Sequence, residues 1–172
     1  MEVRPAKSID ALSIARVQVR TWQDTYRGIV SDQFLDAMTL RRAQRVYQRQ
    51  IEDGLGIWYV AAAEREQVAG FISGGPNRNG ESIYAGEIYE LYVLRQYQRQ
   101  GLGRQLTAAF SEQLDHKGLH SLSVWVLERN PGRRFYEKIN GVYLDSRRIH
   151  FAGAMLKAAA YGWISTDLIT RP

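Results

Sequence analysis

The pattern of apolar residues changes at Ile57, and this change constrains the fold more than any other feature of the sequence. Before it, apolar side chains at helical spacing predict helices over 8–21 and 40–51, with a short helix around 34–38 between them. After it, short runs rich in Ile, Val, Tyr and Trp are typical of β-strands. The chain therefore combines an N-terminal helical part with a remainder that forms a sheet.

The order of the predicted elements defines the fold class. Helices are predicted over 101–117 and 131–139, and a loop over 74–80, because Gly, Asn and Pro favour turns there. The order is helices, an antiparallel meander, a β-α-β unit, a further helix and a final hairpin. This order predicts one α/β domain over 1–172 with a mixed sheet. The strands are predicted at 57–62, 68–73, 85–94, 119–127, 142–151 and 154–163.

Cysteine content and charge narrow the classes of function. The chain has no cysteine, which excludes disulfides, cysteine-ligated zinc, iron–sulfur clusters and thiol catalysis. His116, His120 and His150 lack ligand spacing, so we expect no metal site. No segment resembles a signal peptide or a membrane span, so we expect a cytoplasmic protein with no membrane partner. The net charge of +5 suits a polyanionic partner such as a nucleotide, a phosphorylated cofactor or a nucleic acid.

The segment 92–104 carries the most specific chemical signal. A predicted strand runs through a short polar loop into a helix that starts with Gly101 and Gly103. The first N–H groups of a helix lack partners within it and lie at the positive end of its dipole, so such a turn can bind a phosphate. Arg99 and Arg104 add positive charge. Two glycines can also serve close helix packing, and the Rossmann and P-loop fingerprints are absent.

Gln98-x-x-Gly101-x-Gly103 after a Tyr-Val-Leu strand end resembles the acyl-CoA-binding motif of the GNAT superfamily of N-acetyltransferases. The resemblance implies a GNAT-like fold of the α/β (α+β) class, with a mostly antiparallel sheet of about six or seven strands flanked by helices. Arg95 replaces a common proline, and Asn140 replaces the usual glycine at a helix end. Further similar segments follow in the family's order at 22–30, 87–93, 130–141 and 161–163.

The resemblance implies acetyl-CoA as co-substrate. In the family the central strand diverges from its neighbour, so that its backbone can pair with the pantetheine arm, and the glycine turn holds the pyrophosphate. Asn130 would hydrogen-bond the pantetheine arm, although it can equally be a simple helix N-cap. The cofactor-binding residues implied are Leu91, Tyr92, Val93, Gln98, Arg99, Gln100, Gly101, Leu102, Gly103, Arg104 and Asn130.

Catalysis requires a base, because only the neutral amine attacks the thioester and alkylammonium groups have a pKa near ~10.4. Glu87 matches the family's catalytic glutamate and is favoured, with Glu90 in reserve; the strand period places them on opposite faces unless a bulge intervenes. Either could be a solvent-facing strand carboxylate. Tyr136 matches the family's tyrosine that protonates the leaving thiolate. Alternatively, its ring packs on the sheet. Trp22 and Tyr26 could line an acceptor pocket or form a core stripe.

These residues predict an acetyl-CoA-dependent N-acetyltransferase that acts on an amine of a small molecule or a peptide. The alternative is a sensor domain of the same fold that binds acyl-CoA without turnover. We expect no nucleic-acid partner, since the arginine clusters are dispersed and no reader motif occurs. A homodimer is possible through Trp163 and the late strands. The segments 74–82 and 150–154 are the predicted determinants of acceptor choice.

Overall fold

Seven strands form one mixed sheet in the order β1-β2-β3-β4-β5-β7-β6. This computed structural model describes residues 1–63, 67–78 and 83–169. All neighbouring strands pair antiparallel except β4 and β5, which are parallel. The predicted fold class and the expected number of strands are thus confirmed. The strands are β1 Glu2–Pro5, β2 Ile57–Ala62, β3 Val68–Pro76, β4 Gly86–Val93, β5 Leu122–Leu127, β6 Val142–Phe151 and β7 Ala154–Trp163.

Five α-helices accompany the sheet in the described ranges: α1 Ala11–Tyr26, α2 Asp32–Asp36, α3 Leu40–Glu52, α4 Leu102–His116 and α5 Arg134–Lys138. Short 3-10 turns occur at Ser8–Asp10, Arg95–Tyr97, Pro131–Arg133 and Thr166–Ile169. None of these helices is both long and apolar enough to cross a membrane.

Helices cover both faces of the sheet because neighbouring residues of a strand point to opposite sides. Phe71 on β3 packs in a cluster with Ile14 of α1 and Tyr47 of α3. The next residue, Ile72, packs in a second cluster with Leu106 and Phe110 of α4. The sheet is therefore the middle layer, with α1 and α3 on one face and α4 on the other.

Several elements differ from the sequence prediction, and β5, for example, begins at Leu122 rather than at 119. The N-terminal strand β1 was not expected, because four residues with alternating charge give too little periodicity. Helix α1 continues past the predicted end at Thr21 to Tyr26, whose side chain is buried. Strand β3 extends to Pro76, so the loop predicted over 74–80 is wrong for its first residues. The rest of that loop lies partly outside the described residues.

Gly74 explains why β3 was misread as a turn. A glycine in a strand often marks close approach rather than a bend. Here Gly74 pairs with Ile88, and a Cβ at Gly74 would overlap the Glu87 carbonyl oxygen and the Phe110 ring. The glycine is therefore needed for helix–sheet packing within a strand.

A bulge in β4 settles how its two glutamates are oriented. Ser73 pairs with Glu90 and Gly74 pairs with Ile88, which leaves Tyr89 as an extra residue in β4. A bulge shifts the alternation of side chains by one residue. Glu87 and Glu90 both act electrostatically on Arg78, so the two carboxylates belong to one polar cluster. Because of the bulge, the two glutamates do not follow the strand period that would place them on opposite faces of the sheet.

Strands β4 and β5 pair over three residues only, from Gly86 to Ile88 on β4 and from Leu122 to Val124 on β5. Beyond that point β4 stays paired with β3 as far as Val93, while β5 stays paired with β7. The two strands diverge, and two cavities lie at the opening between them.

Candidate active site

Two cavities meet at the divergence of β4 and β5. The larger has a volume of about 990 Å³ and the smaller about 210 Å³. Both are lined by Tyr26 at the end of α1, by Leu91 and Tyr92 on β4, and by Asn130 and Tyr136 around α5. A molecule in one cavity can therefore contact a molecule in the other at this shared wall.

The turn before α4 forms one end of the larger cavity. Gly101 is the N-cap of α4 and has a left-handed backbone with φ of 81°, and Arg99 is also left-handed with φ of 63°. The Gln98 side chain donates to the Val93 carbonyl oxygen at 2.9 Å, and the Gln100 side chain donates to the Gln96 carbonyl oxygen at 3.0 Å. These bonds hold the turn in place at the start of a 15-residue helix.

Gly103 has a different role from Gly101. A Cβ at Gly103 would lie 3.1 Å from the Phe135 ring, which is closer than a Cβ normally approaches another heavy atom. Its small size lets α4 approach α5 across the cavity. Close packing therefore explains why residue 103 is a glycine, and the left-handed backbone of the turn explains why residue 101 is one.

The larger cavity is strongly basic. Six cationic side chains line it against one carboxylate, Glu128, among the described residues, and Glu128 is paired with Lys157 at 3.1 Å. Arg99 and Arg104 were predicted from the sequence. The other four were not, because recognising them requires knowing how α5 lies relative to α4. The cationic side chains are those of Arg99, Arg104, Arg129, Arg133, Arg134 and Lys138.

The structure brings the predicted cofactor-binding residues together. Gln100 does not line the larger cavity, and its side chain instead braces the turn. The residues that do line it are Leu91, Tyr92, Val93, Gln98, Arg99, Gly101, Leu102, Gly103, Arg104 and Asn130.

Two polar side chains link the cavity to α1. The Asn130 side-chain oxygen accepts from the Gly132 N–H at 2.7 Å, which confirms the N-cap interpretation, and its side-chain nitrogen donates to the Tyr26 hydroxyl at 2.7 Å. The Thr21 hydroxyl oxygen is buried, lines the larger cavity and has no hydrogen-bond partner within the described residues. Buried hydroxyls normally have partners, so this atom fits a polar group of a ligand.

The smaller cavity is lined by aromatic and aliphatic side chains. The Trp22 ring lies 4.7 Å from the Tyr26 ring and 5.6 Å from the Phe151 ring, measured between centroids. Tyr89 and Trp125 also line this cavity. The structure thus places Trp22 and Tyr26 at a cavity wall and, at the same time, in a packed aromatic cluster.

Glu90 is the one charged side chain that the described residues contribute to the smaller cavity. Its carboxylate accepts hydrogen bonds from the Tyr47 hydroxyl at 2.9 Å and from the Ser73 hydroxyl at 3.2 Å. Burial raises the pKa of Glu90, while these hydrogen bonds and the charge of Arg78 partly oppose that rise. Burial and the adjacent Glu90 charge raise the pKa of Tyr47, which therefore stays a proton donor.

Glu87 is buried and lines neither cavity. The Arg78 guanidinium donates to one carboxylate oxygen at 2.6 Å, and the Arg78 backbone N–H donates to the other at 3.0 Å. The same guanidinium lies 4.0 Å from the centre of the Tyr89 ring. Glu87 therefore fixes Arg78 over an aromatic side chain of the smaller cavity.

Tyr136 is buried and lines both cavities. Its ring packs against Phe135 at 5.5 Å, Tyr161 at 5.9 Å and Trp163 at 6.3 Å between centroids. Burial and the proximity of Tyr26 raise the pKa of Tyr136. It thus combines the predicted packing with a position where a protonated hydroxyl can face a ligand.

None of the three histidines lines either cavity. His120 Nδ1 contacts an Asp115 carboxylate oxygen at 2.5 Å. In the ranges 1–63, 67–78 and 83–169, no group of three or more His, Asp or Glu side chains could hold a metal ion.

Comparison with known proteins agrees with this geometry. The model of the acetyltransferase (GNAT) family matches residues 18–142. The protein named uncharacterized N-acetyltransferase YuaI from Bacillus subtilis (strain 168) is 35% identical over 161 residues, which cover 94% of this chain and 91% of that protein.

Solved structures share the fold at low sequence identity. The paia N-acetyltransferase from Thermoplasma acidophilum, solved in complex with coenzyme A, gives a TM-score of 0.67 at 21% identity, covering 92% of this chain and 96% of that chain. The yncA protein from Salmonella typhimurium, described as a putative acetyltransferase with its cofactor acetyl-CoA, gives 0.71 at 19% identity, covering 95% and 92%.

Proposed function

Because the chain belongs to the acetyltransferase (GNAT) family, we propose that it transfers an acetyl group from acetyl-CoA to a primary amine of a small molecule or a peptide. The observation that carries the proposal is the meeting of two unlike cavities at Tyr26, Leu91, Tyr92, Asn130 and Tyr136. One cavity is large and basic, which suits a phosphorylated carrier, and the other is small, with aromatic and aliphatic walls and one carboxylate, which suits an amine.

In this proposal the larger cavity binds coenzyme A. The N–H groups at the start of α4, from Arg99 to Arg104, hold the pyrophosphate, and the six cationic side chains balance its charge. The pantetheine arm lies along Leu91–Val93, where β4 has no pairing with β5 and its backbone groups are available. Thr21 and Asn130 offer side-chain hydrogen bonds to the same arm.

We assign the general base to Glu90, which removes the amine proton directly or through a water. It lines the amine-binding cavity, and its raised pKa brings it closer to the pH at which a base is most effective. The sequence favoured Glu87, but that carboxylate is held by Arg78 away from both cavities. Glu87 is therefore proposed as a positioning residue for Arg78.

The remaining chemistry follows at the shared wall. The amine nitrogen attacks the thioester carbonyl carbon, the C–N bond forms, and backbone N–H groups of β4 stabilise the oxyanion. The C–S bond then breaks, and Tyr136, whose raised pKa keeps it protonated, donates a proton to the sulfur. Holding both reactants in contact supplies a large part of the acceleration.

Calorimetry with acetyl-CoA, followed by thiol release and mass spectrometry across an amine panel, tests the function. We expect binding, amine-dependent thiol release, and at least about 100-fold lower kcat in Glu90→Gln, the low end of the typical contribution of a general base. Tyr136→Phe should also lower kcat. Glu112→Gln on the exposed side of α4 is the matched control and should not change turnover.

Each contrary outcome has a clear meaning. Absence of acetyl-CoA binding would refute the proposal altogether. Binding without transfer to any amine would instead favour the acyl-CoA sensor. Unchanged turnover in Glu90→Gln, with loss in Glu87→Gln, would return the base to Glu87.

A further inference from the structure

We propose that the acceptor is a small amine that also carries an acid group, such as a free amino acid, and that Arg147 binds this acid group. The inference rests on the proposed acetyl transfer and specifies its acceptor. It derives from the charge distribution at the rim of the smaller cavity, where a guanidinium lies beside a pocket whose walls are largely aromatic and aliphatic and carry one carboxylate.

The strand register places Arg147 on the cavity face of the sheet. Ala158 on β7 pairs directly with Leu127 on β5 and with Arg147 on β6. Directly opposed residues in an antiparallel sheet share a face. Ala158 and Leu127 line the smaller cavity, as does Ile149, which lies two residues from Arg147 on β6. Arg147 therefore projects toward the same side.

The Arg147 side chain also reaches toward the amine site. Its guanidinium carbon lies 4.1 Å from the centre of the Trp125 ring, and Trp125 lines the cavity. Arg147 thus crosses β7 over the small side chain of Ala158 and ends above β5, the strand next to β4. Glu90 and Trp125 line the same cavity, so an acceptor bound there can lie between the Glu90 carboxylate and the guanidinium held over Trp125.

Arg147 is chemically available for an anion. Among the described residues no carboxylate forms an ion pair with it. Asp145, two residues away on β6, accepts a hydrogen bond from the Ser146 N–H at 2.7 Å. Arg78, which lies over the Tyr89 ring, differs because Glu87 neutralises it. A guanidinium held on an aromatic face presents its N–H groups in a fixed plane that matches a carboxylate.

The cavity limits the size of the acceptor. Its volume of about 210 Å³ is below the range of roughly 300–1,000 Å³ typical of pockets for drug-sized ligands. The amine would lie at Glu90, an apolar body would contact Trp22 and Phe151, and the acid group would reach Arg147. These three contacts describe an apolar amino acid better than a polyamine, which would bring a second positive charge to the guanidinium.

Matched pairs of acceptors test this inference with the full-length protein. Acetyl transfer is measured for L-leucine against 3-methylbutylamine and for L-phenylalanine against 2-phenylethylamine, with rates corrected for the fraction of neutral amine. We expect a higher kcat/KM for the acid-bearing member of each pair. Arg147→Gln should lower kcat/KM for the acids at least about tenfold, as for a lost charge-assisted hydrogen bond, and leave the simple amines unchanged.

Arg148→Gln is the control, because Arg148 is equally exposed on the same strand but points to the other face. Equal rates within each pair, an equal loss for both members in Arg147→Gln, or acetyl-CoA binding with no acetylated acid would overturn the inference while acetyl-CoA binding still stands. Absence of acetyl-CoA binding would overturn it together with the proposed function. The preference of the wild-type protein needs no variant, so a misfolded Arg147→Gln leaves the test intact.

Discussion

Removing the Tyr47 hydroxyl should destabilise the protein in a way that depends on pH. Tyr47 is buried on α3 and donates a 2.9 Å hydrogen bond to Glu90 across the helix–sheet interface. In Tyr47→Phe the ionised carboxylate loses this donor, which costs about 1.5–3 kcal/mol for a charged acceptor but only about 1 kcal/mol once the carboxyl is protonated.

The sign follows from the raised pKa of Glu90 in the folded state. Below the unfolded pKa Glu90 is protonated in both states, and its ionisation adds no penalty. As pH rises through the folded pKa, the buried carboxyl ionises and folding becomes less favourable. Tyr47→Phe removes an interaction that lowers this pKa, so the loss in unfolding free energy should be larger at pH 7 than at pH 4.

Urea unfolding of the wild type and Tyr47→Phe at both pH values measures the effect. A change of 1 kcal/mol in unfolding free energy shifts the melting temperature by roughly 2–4 °C, so calorimetry should also detect the difference. Tyr143→Phe, at an exposed tyrosine of β6, should leave the stability unchanged at either pH. A Tyr47→Phe penalty that is the same at pH 4 and pH 7 would refute the bond to an ionised Glu90.

Two further substitutions test the packing that positions the site. Arg4→Ala should cost about 3 kcal/mol in urea unfolding, because Arg4 pairs at 2.8 Å with the buried Asp10. Burial raises the pKa of Asp10, but hydrogen bonds from Arg4 and the Lys7 N–H outweigh burial, so the pKa is lowered overall. The stabilisation that Arg4 provides should therefore be lost as the pH falls through the lowered pKa of Asp10. Gly74→Ala should cost about 1–3 kcal/mol in urea unfolding, because the added Cβ would overlap the Phe110 ring, and unchanged stability would contradict that contact.

Local signals in the sequence were sufficient wherever the structure is set by neighbouring residues. The hairpin strands β6 and β7 end where alternation and turn residues predict. Asn140 adopts the left-handed conformation expected at the end of its helix, with φ of 65°. The turn before α4 could likewise be recognised, because its glycines and its polar loop are contiguous.

Long-range packing decided what the sequence could not show. The bulge at Tyr89 depends on the register between β3 and β4, and this bulge brings Glu87 and Glu90 into one polar cluster, of which only Glu90 lines the smaller cavity. The position of Arg147 beside Trp125 depends on the pairing of β7 with β5, which joins Ala158 to Leu127. No local pattern encodes this pairing or the register between β3 and β4, since each joins strands that a local turn signal does not connect in a fixed register.

The divergence of β4 from β5 divides the site into two parts that should evolve differently. Along Leu91–Val93 the larger cavity offers main-chain groups, which every amino acid possesses, so replacements there can preserve carrier recognition. The wall around Trp22, Trp125 and Phe151 consists of side chains, and each replacement reshapes it. Descendants of such a protein can therefore acquire new acceptors while retaining the same acyl donor.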